Sequence, residues 1–397
     1  MRVLFVSDVY FPRVNGVSTS INTFRTDLAR CDVETVLVAP RYGAEASEPG
    51  IVRVSGAAVP GDPEDRRMRW GPLMRTLADL AAGPRFDVIH IHTPFIAHYA
   101  GSRCARARGT PCVATYHTFF EEYLHHYVPA LPRRVGRTLA RAFTRSQCRD
   151  VQALIAPSEP MRAVLRDYGV TTPIHVVPTG LPQSCFTAGD GQRFRRAMQL
   201  PAERPLVLYV GRVAHEKNIG FLIECFARVR AQVPAALLVI AGEGPARSAL
   251  GAQVERLGLA EHVRFVGYLD RNQALLDCYA AAQVFAFASR TETQGLVLLE
   301  AMAQGAPIVS TAELGARSIL TPASGAVVVP ESIEPFAAAV VRVLSDAALA
   351  AALAARGRAY AQSWSSLAMA QRLASLYREV GARAAAGAGV PAGAPGA

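Results

Sequence analysis

A rhythm constrains this chain more than any single residue does. Short apolar runs alternate with helical patterns along its 397 residues. Strands are expected at 2–7, 33–39, 87–92, 112–116, 152–156 and 174–177. A second series follows at 205–210, 236–241, 263–266, 283–287, 306–310 and 325–329. Near-continuous apolar strands joined by helices predict parallel sheets covered on both faces. Two such series predict two doubly wound α/β domains, which also suits a chain too long for one core. The break falls at "PTGLPQSCFTAGD", residues 178–190, rich in Pro, Gly, Ser and Thr. The expected domains are therefore 1–180 and 190–362. A helical pattern at 363–381 is expected to pack back across the boundary. Residues 384–397 are Ala/Gly/Pro-rich and are expected to form a disordered tail.

Composition narrows the partners. Lys plus Arg number 42 against 32 acidic residues, a formal charge of +10. That balance favours phosphates, an anionic membrane surface or nucleic acid. Nucleic acid fits poorly: the arginines are not interleaved with stacking aromatics, and no nucleic-acid module is present. The seven cysteines are scattered, with no Cys-x-x-Cys pair, and read as reduced thiols of a cytosolic protein. The chain opens on a strand rather than a signal peptide. No apolar run approaches the ~20 residues that span a bilayer, so any membrane role is expected to be peripheral.

Ligands of open α/β sheets bind at the carboxyl ends of the strands, which directs attention to those loops. The first, "SDVYFPRVNGVSTS", carries Gly16 but no G-x-G-x-x-G, which argues against a dinucleotide site. One glycine before a helix still lets backbone amides meet a phosphate; an ordinary turn glycine is the plainer alternative. "GRVAHEKNIG", 211–220, holds the only lysine of the chain, Lys217, five residues after Arg212. A planar fork beside a compact point charge suits an anion with several oxygens, such as a diphosphate. "SRTETQGLVLLEAMAQG", 289–305, holds Glu292 and Glu300. If the segment were wholly helical, the two would lie ~12 Å apart along the axis. That spacing suits opposite ends of one elongated ligand and is too long for a shared proton or a single metal ion. The amides of Gln294, Gly295 and Leu296 would stand at the positive end of a helix dipole. Glu292 could instead be only a cap. Glu300 lies between "LVLL" and "AMA", where a charge requires a partner, such as the paired hydroxyls of a ribose.

These motifs carry a resemblance. "GRVAHEKN" followed by "SRTETQGLVLLEAMAQG" resembles the retaining glycosyltransferases of family 4, with "HTP" (92–94), "YHTFFEEY" (116–123), "APSEPMRAVL" (156–165) and "VPTGL" (177–181) in support. Bacterial diacylglycerol glycosyltransferases and GDP-mannose-dependent mannosyltransferases are similar. The resemblance implies the GT-B fold, two Rossmann-like domains facing across a cleft. It implies that Arg212 and Lys217 neutralise the donor diphosphate and that Gly16 brings backbone to the same phosphates. Glu292, with the amides around Gln294 and Gly295, would contact the hexose, and Glu300 the ribose. His117 would lie near the reacting centre as a positioning group, and "VGYLD", 266–270, would pack the nucleobase. No metal and no cofactor beyond the nucleotide-sugar co-substrate, UDP-glucose or GDP-mannose in type, are expected. Retention would proceed on one face, with the departing phosphate oxygen taking the acceptor proton.

Two basic segments bear on the acceptor. In "RRVGRTLARAFTRSQCR", 133–149, Arg133, Arg137, Arg141, Arg145 and Arg149 recur every fourth residue. "RRMRWGPLMR", 66–75, mixes Arg with Trp70, Leu73 and Met74. A basic amphipathic helix can rest on anionic lipid; a solvated face is the alternative. The expectation is a lipid acceptor at the inner face of the cell membrane. A soluble or polysaccharide-precursor glycan acceptor is the rival, and a basic nucleic-acid-binding protein a remote one.

Overall fold

A computed structural model describes residues 1–59, 62–117, 133–271 and 273–388. The chain divides into two compact units. The described part of the first is 1–59, 62–117, 133–180 and 366–388; that of the second lies within 181–365.

In the first unit the strands are β1 (Arg2–Val6), β2 (Glu34–Pro40), β3 (Ile51–Val54), β4 (Gly56–Val59), β5 (Asp62–Met68), β6 (Val88–Ile91), β7 (Cys112–Thr115), β8 (Ala153–Ala156) and β9 (Ile174–Val176). Its helices are α1 (Gly16–Ala29), α2 (Trp70–Ala82), α3 (Ile96–Arg108), α4 (Arg133–Arg149) and α5 (Glu159–Asp167). A parallel sheet runs β3-β2-β1-β6-β7-β8-β9, with β4 and β5 forming a separate antiparallel pair. β3 and that pair were not expected. The segment 66–75 splits between β5 and α2: of its large apolar side chains Met68 and Leu73 are buried, and Trp70 alone is exposed.

The second unit contains α6 (Gly191–Ala197), β10 (Leu206–Val210), α7 (Ile219–Gln232), β11 (Leu237–Ala241), α8 (Arg247–Arg256), β12 (Val263–Gly267) and α9 (Ala274–Ala280). It continues with β13 (Val284–Phe287), α10 (Leu296–Ala303), β14 (Ile308–Ser310), β15 (Val327–Val328), α11 (Ile333–Ser345) and α12 (Ala347–Gln362). The sheet order is β12-β11-β10-β13-β14-β15. Every residue of β10, β11 and β13 is buried, because helices cover both faces.

Two boundaries differ from expectation. The second unit begins at Leu181, not near 190. Leu181 is buried in its core, and its amide donates to Trp364 O at 2.7 Å. "QSCF" is a 3₁₀ turn held by Gln304, whose Nε2 donates to Cys185 O and Thr187 O at 2.7 and 2.9 Å. Its loop-like composition conceals that packing. The last helix, α13 (Ser366–Ala388), belongs to the first unit and runs past the residue at which a tail was expected. "ARAAA" is strongly helix-forming, which outweighs the low complexity. Residues 389–397 lie outside the described residues.

Helix α13 completes the first core. Ala370, Leu373, Ala374 and Tyr377 are buried against a cluster that includes Ile21, Phe24 and Leu28 of α1. Leu373 is 1% exposed, so Leu373→Ala should remove about 2–5 kcal/mol of stability, measured by urea denaturation.

Candidate functional site

In the second unit, parallel pairing brings the carboxyl ends of β10 to β13 to one edge, and backbone contacts lock their loops together. Gly211 N donates to Ala241 O at 3.0 Å, Gly242 N to Gly267 O at 2.8 Å and Val213 N to Glu243 O at 2.9 Å. Gly242 has φ 131, and a Cβ there would fall 2.0 Å from Gly211 O. Only glycine permits this approach.

The loop after β10 carries Arg212 and Lys217. Arg212 Nη1 lies 3.9 Å from Glu216 Oε1. Lys217 ends a short 3₁₀ turn, and Asn218 follows in the left-handed region at φ 57. Asn218 Nδ2 donates to Ala288 O at 3.2 Å, tying this turn to the end of β13. Lys217 Nζ then donates to Glu292 Oε1 at 2.7 Å, joining residues 75 positions apart. Their side chains are 18% and 20% exposed. The structure thus pairs the lysine with the first glutamate, a contact that the sequence reading did not foresee.

Glu292 precedes the helix, because α10 begins at Leu296; the fully helical spacing to Glu300 does not apply. Gly295 starts the helix with φ 96 and ψ 49, and no side chain caps it. Its first turn therefore offers amides to an incoming acceptor. Gln294 is buried beside it.

Glu300, 4% exposed, has the partners its burial demands. Tyr279 OH donates to Oε2 at 2.9 Å, and Arg271 Nη2 donates to Oε1. The carboxylate charge holds the Arg271 guanidinium above its ordinary value, and burial pushes the Tyr279 phenol well up. Sequence reasoning missed both partners. It registered the need for a partner and looked for it in the hydroxyls of a ribose; nothing in the spacing selects Arg271 among 41 arginines.

Gly16 and His117 lie in the first unit. Gly16 opens α1 after Asn15, whose side chain accepts from Ser18 N at 2.9 Å. A Cβ on Gly16 would meet nothing within 4 Å: the space beside it is open. His117 follows β7. Its Nε2 lies 3.5 Å from His92 Nδ1, with the two rings stacked at 5.8 Å. The His90 ring lies behind His92, tilted by 35° with centroids 3.9 Å apart, and is held by Tyr377 OH (2.6 Å) and Thr115 Oγ1 (2.7 Å). Burial lowers the pKa of all three imidazoles, that of His117 to about 4. Residues 118–123 of the "YHTFFEEY" motif lie outside the described residues. Among the described residues, no group of three or more His, Cys, Asp or Glu side chains is arranged to hold a metal ion.

Comparison with known proteins supplies the lineage. Residues 14–184 match the family described as Glycosyltransferase Family 4, and residues 190–360 match Glycosyl transferases group 1. The alpha-monoglucosyldiacylglycerol synthase of Streptococcus pneumoniae is 30% identical over 322 residues, 78% of this chain and 71% of that protein. The chain belongs to glycosyltransferase family 4. A GDP-mannose-dependent alpha-mannosyltransferase of Mycolicibacterium smegmatis is 28% identical over 332 residues, covering 81% of this chain and 82% of that one. Among solved structures, a sucrose-phosphate synthase from Thermosynechococcus elongatus superposes with TM-score 0.80 at 22% identity, over 96% of this chain and 99% of that chain. Anabaena HepE in complex with UDP-glucose gives 0.75 at 18%, over 96% and 100%. The fold is that of the GT-B glycosyltransferases, with two Rossmann-like α/β domains. Glu292 and Glu300, spaced as Glu-x7-Glu, stand on either side of the start of α10.

The imidazole cluster makes stability depend on pH. His117 titrates near 4 when folded and near 6.5 when unfolded. Below pH 6.5 the unfolded chain takes a proton that the folded one refuses, so this group's contribution is complete above 6.5 and is lost as pH falls towards 4. His90 and His92 act in the same direction. Asp8, raised to about 6 by burial, opposes them. The His117 share is isolated by His117→Asn, whose melting temperature should fall less than that of the parent between pH 7 and pH 4.5.

Proposed function

We propose that this glycosyltransferase moves a hexose, with retention, from a nucleoside-diphosphate sugar of the UDP-glucose type to a lipid acceptor at a membrane surface. The observation that carries the donor half is the meeting of Lys217, Glu292 and the α10 amino terminus at one edge of the second sheet. Breaking the anomeric bond puts negative charge on the departing diphosphate. Arg212, Lys217 and the α10 amides stabilise that charge in a partly buried setting. With these cations present the leaving group needs no metal ion. Glu292 takes hexose hydroxyls and Glu300 the ribose. The departing phosphate oxygen accepts the acceptor proton. His117, with a pKa of about 4, is a weak proton acceptor at neutral pH and suits a positioning role.

Two kinds of support point to lipid. Relatives named alpha-monoglucosyldiacylglycerol synthase occur in Streptococcus pneumoniae and in Acholeplasma laidlawii, the latter 25% identical over 319 residues. Helix α4 also carries apolar side chains on its outer face. Ala140, Thr144 and Cys148 face the core, whereas Val135 and Leu139 are 47% and 53% exposed beside Arg134 and Arg137. Apolar residues set among arginines are the composition of a helix that rests on anionic lipid. Among the described residues no single helix is long and apolar enough to cross a membrane, and the proposed location is the inner face of the cell membrane.

Labelled UDP-glucose and GDP-mannose, each offered with diacylglycerol in vesicles, test the reading. UDP-glucose should give an α-linked glycolipid without added divalent ion. Lys217→Ala should cost about 2–4 kcal/mol of transition-state stabilisation, by analogy with one oxyanion donor, while the variant remains folded by circular dichroism. Full activity in that variant would remove the role of Lys217. Sedimentation should show binding to anionic vesicles and little to neutral ones. Joint Arg134→Ala, Arg137→Ala and Leu139→Ala substitution should weaken it, and equal binding to both vesicle types would refute the membrane reading.

A further inference from the structure

The surroundings of Glu300 raise a geometric conflict. Its carboxylate is held at both oxygens, from opposite sides. Tyr279 OH reaches Oε2 from α9, and Tyr279 is fully buried, so this bond lies on the core side. Arg271 Nη2 reaches Oε1 from the loop after β12. Its side chain is 28% exposed, so it covers the solvent side. With the guanidinium in place the Glu300 side chain is 5% exposed. A ribose diol has two O–H groups to deliver, and the carboxylate offers them almost no open surface.

We propose that Arg271 occupies the ribose position of the donor site: nucleotide binding displaces its guanidinium from Glu300 Oε1, and the diol takes its place. The proposal rests on the reading of Glu300 as the ribose acceptor. Tyr279 stays on Oε2 throughout and keeps the carboxylate oriented. The arrangement answers a physical requirement, because a carboxylate buried this deeply without a counter-ion carries a large desolvation penalty. Arg271 supplies the counter-charge while the site is empty and leaves when the diol arrives. Its long stem, anchored on a loop rather than in a helix or strand, permits that movement. The apparent nucleotide affinity is then the intrinsic affinity reduced by the fraction of time the guanidinium stands aside. Arg271 thereby becomes a determinant of donor affinity without being part of the Glu-x7-Glu pattern.

Titration calorimetry with UDP at pH 8 tests this on the full chain. Arg271→Met retains the stem and removes the fork, and it should bind UDP about three- to tenfold more tightly than the parent. Arg271→Gln, which keeps a weaker donor, should fall between them. In a Glu300→Gln background, where no carboxylate needs a counter-ion, the Arg271→Met effect should vanish. UDP should also bind more tightly than 2′-deoxy-UDP to the parent. Circular dichroism melts establish that each variant is folded. Weaker or unchanged binding in folded Arg271→Met, with UDP binding still sensitive to Glu300→Gln, overturns the displacement alone. UDP binding indifferent to Glu300→Gln overturns the ribose role and the displacement with it. Failure of the parent to bind either UDP or GDP overturns the donor-site reading itself.

Discussion

The site in the second unit depends on parallel strand pairing. Because β10 to β13 run the same way, the residues that follow each strand emerge at one edge: Arg212 after β10, Glu243 after β11, Arg271 after β12 and Glu292 after β13. The 2.0 Å approach that a Gly242 Cβ would make to Gly211 O shows how closely the β10 and β11 ends are drawn together. A side chain at that point would push apart the loops that bear the charged groups. Helix α10 begins at the same edge, so its uncapped first turn is a consequence of topology rather than an added device.

The strand-end residues of the two units differ in how they carry polarity. At the strand-end edge of the second unit, ionised side chains stand in opposite-charge pairs: Lys217 with Glu292, Arg271 with Glu300, Arg212 with Glu216. Paired in this way, the cations and carboxylates are kept oriented without isolated charge in a poor solvent. The first unit places three imidazoles in contact, and burial keeps each of them neutral. Hydrogen-bonding capacity is retained there and net charge is not. Polarity of one kind suits a leaving anion; polarity of the other suits hydroxyl groups.

Much of this was readable in the sequence, for physical reasons that also explain the failures. Strands buried on both faces appear as unbroken apolar runs, so β10, β11 and β13 declared themselves. β3 contains Arg53, and β4 is Gly- and Ala-rich; neither carries the apolar signature. Residues 182–187 look like a linker because of their Pro, Ser and Thr, yet Gln304, more than a hundred positions later, holds Cys185 and Thr187 in place. Burial of Glu300 followed from its neighbours in α10, whereas Arg271 and Tyr279, 29 and 21 positions upstream, came only with the fold. On α4 the four-residue recurrence of the arginines could be drawn from the sequence; that Val135 and Leu139 point outward while Ala140, Thr144 and Cys148 meet the core came only with the fold.

Lys217 has one more consequence. It is the only side-chain amine in the chain, it is partly accessible, and its nitrogen sits on a carboxylate. Isotope-labelled reductive methylation would therefore place a single side-chain reporter in the whole molecule, at the spot where an anionic ligand is read to dock. The chemical shift of that one methylated nitrogen would register the exchange of Glu292 for phosphate directly, giving a spectroscopic view of occupancy with no background from other lysines.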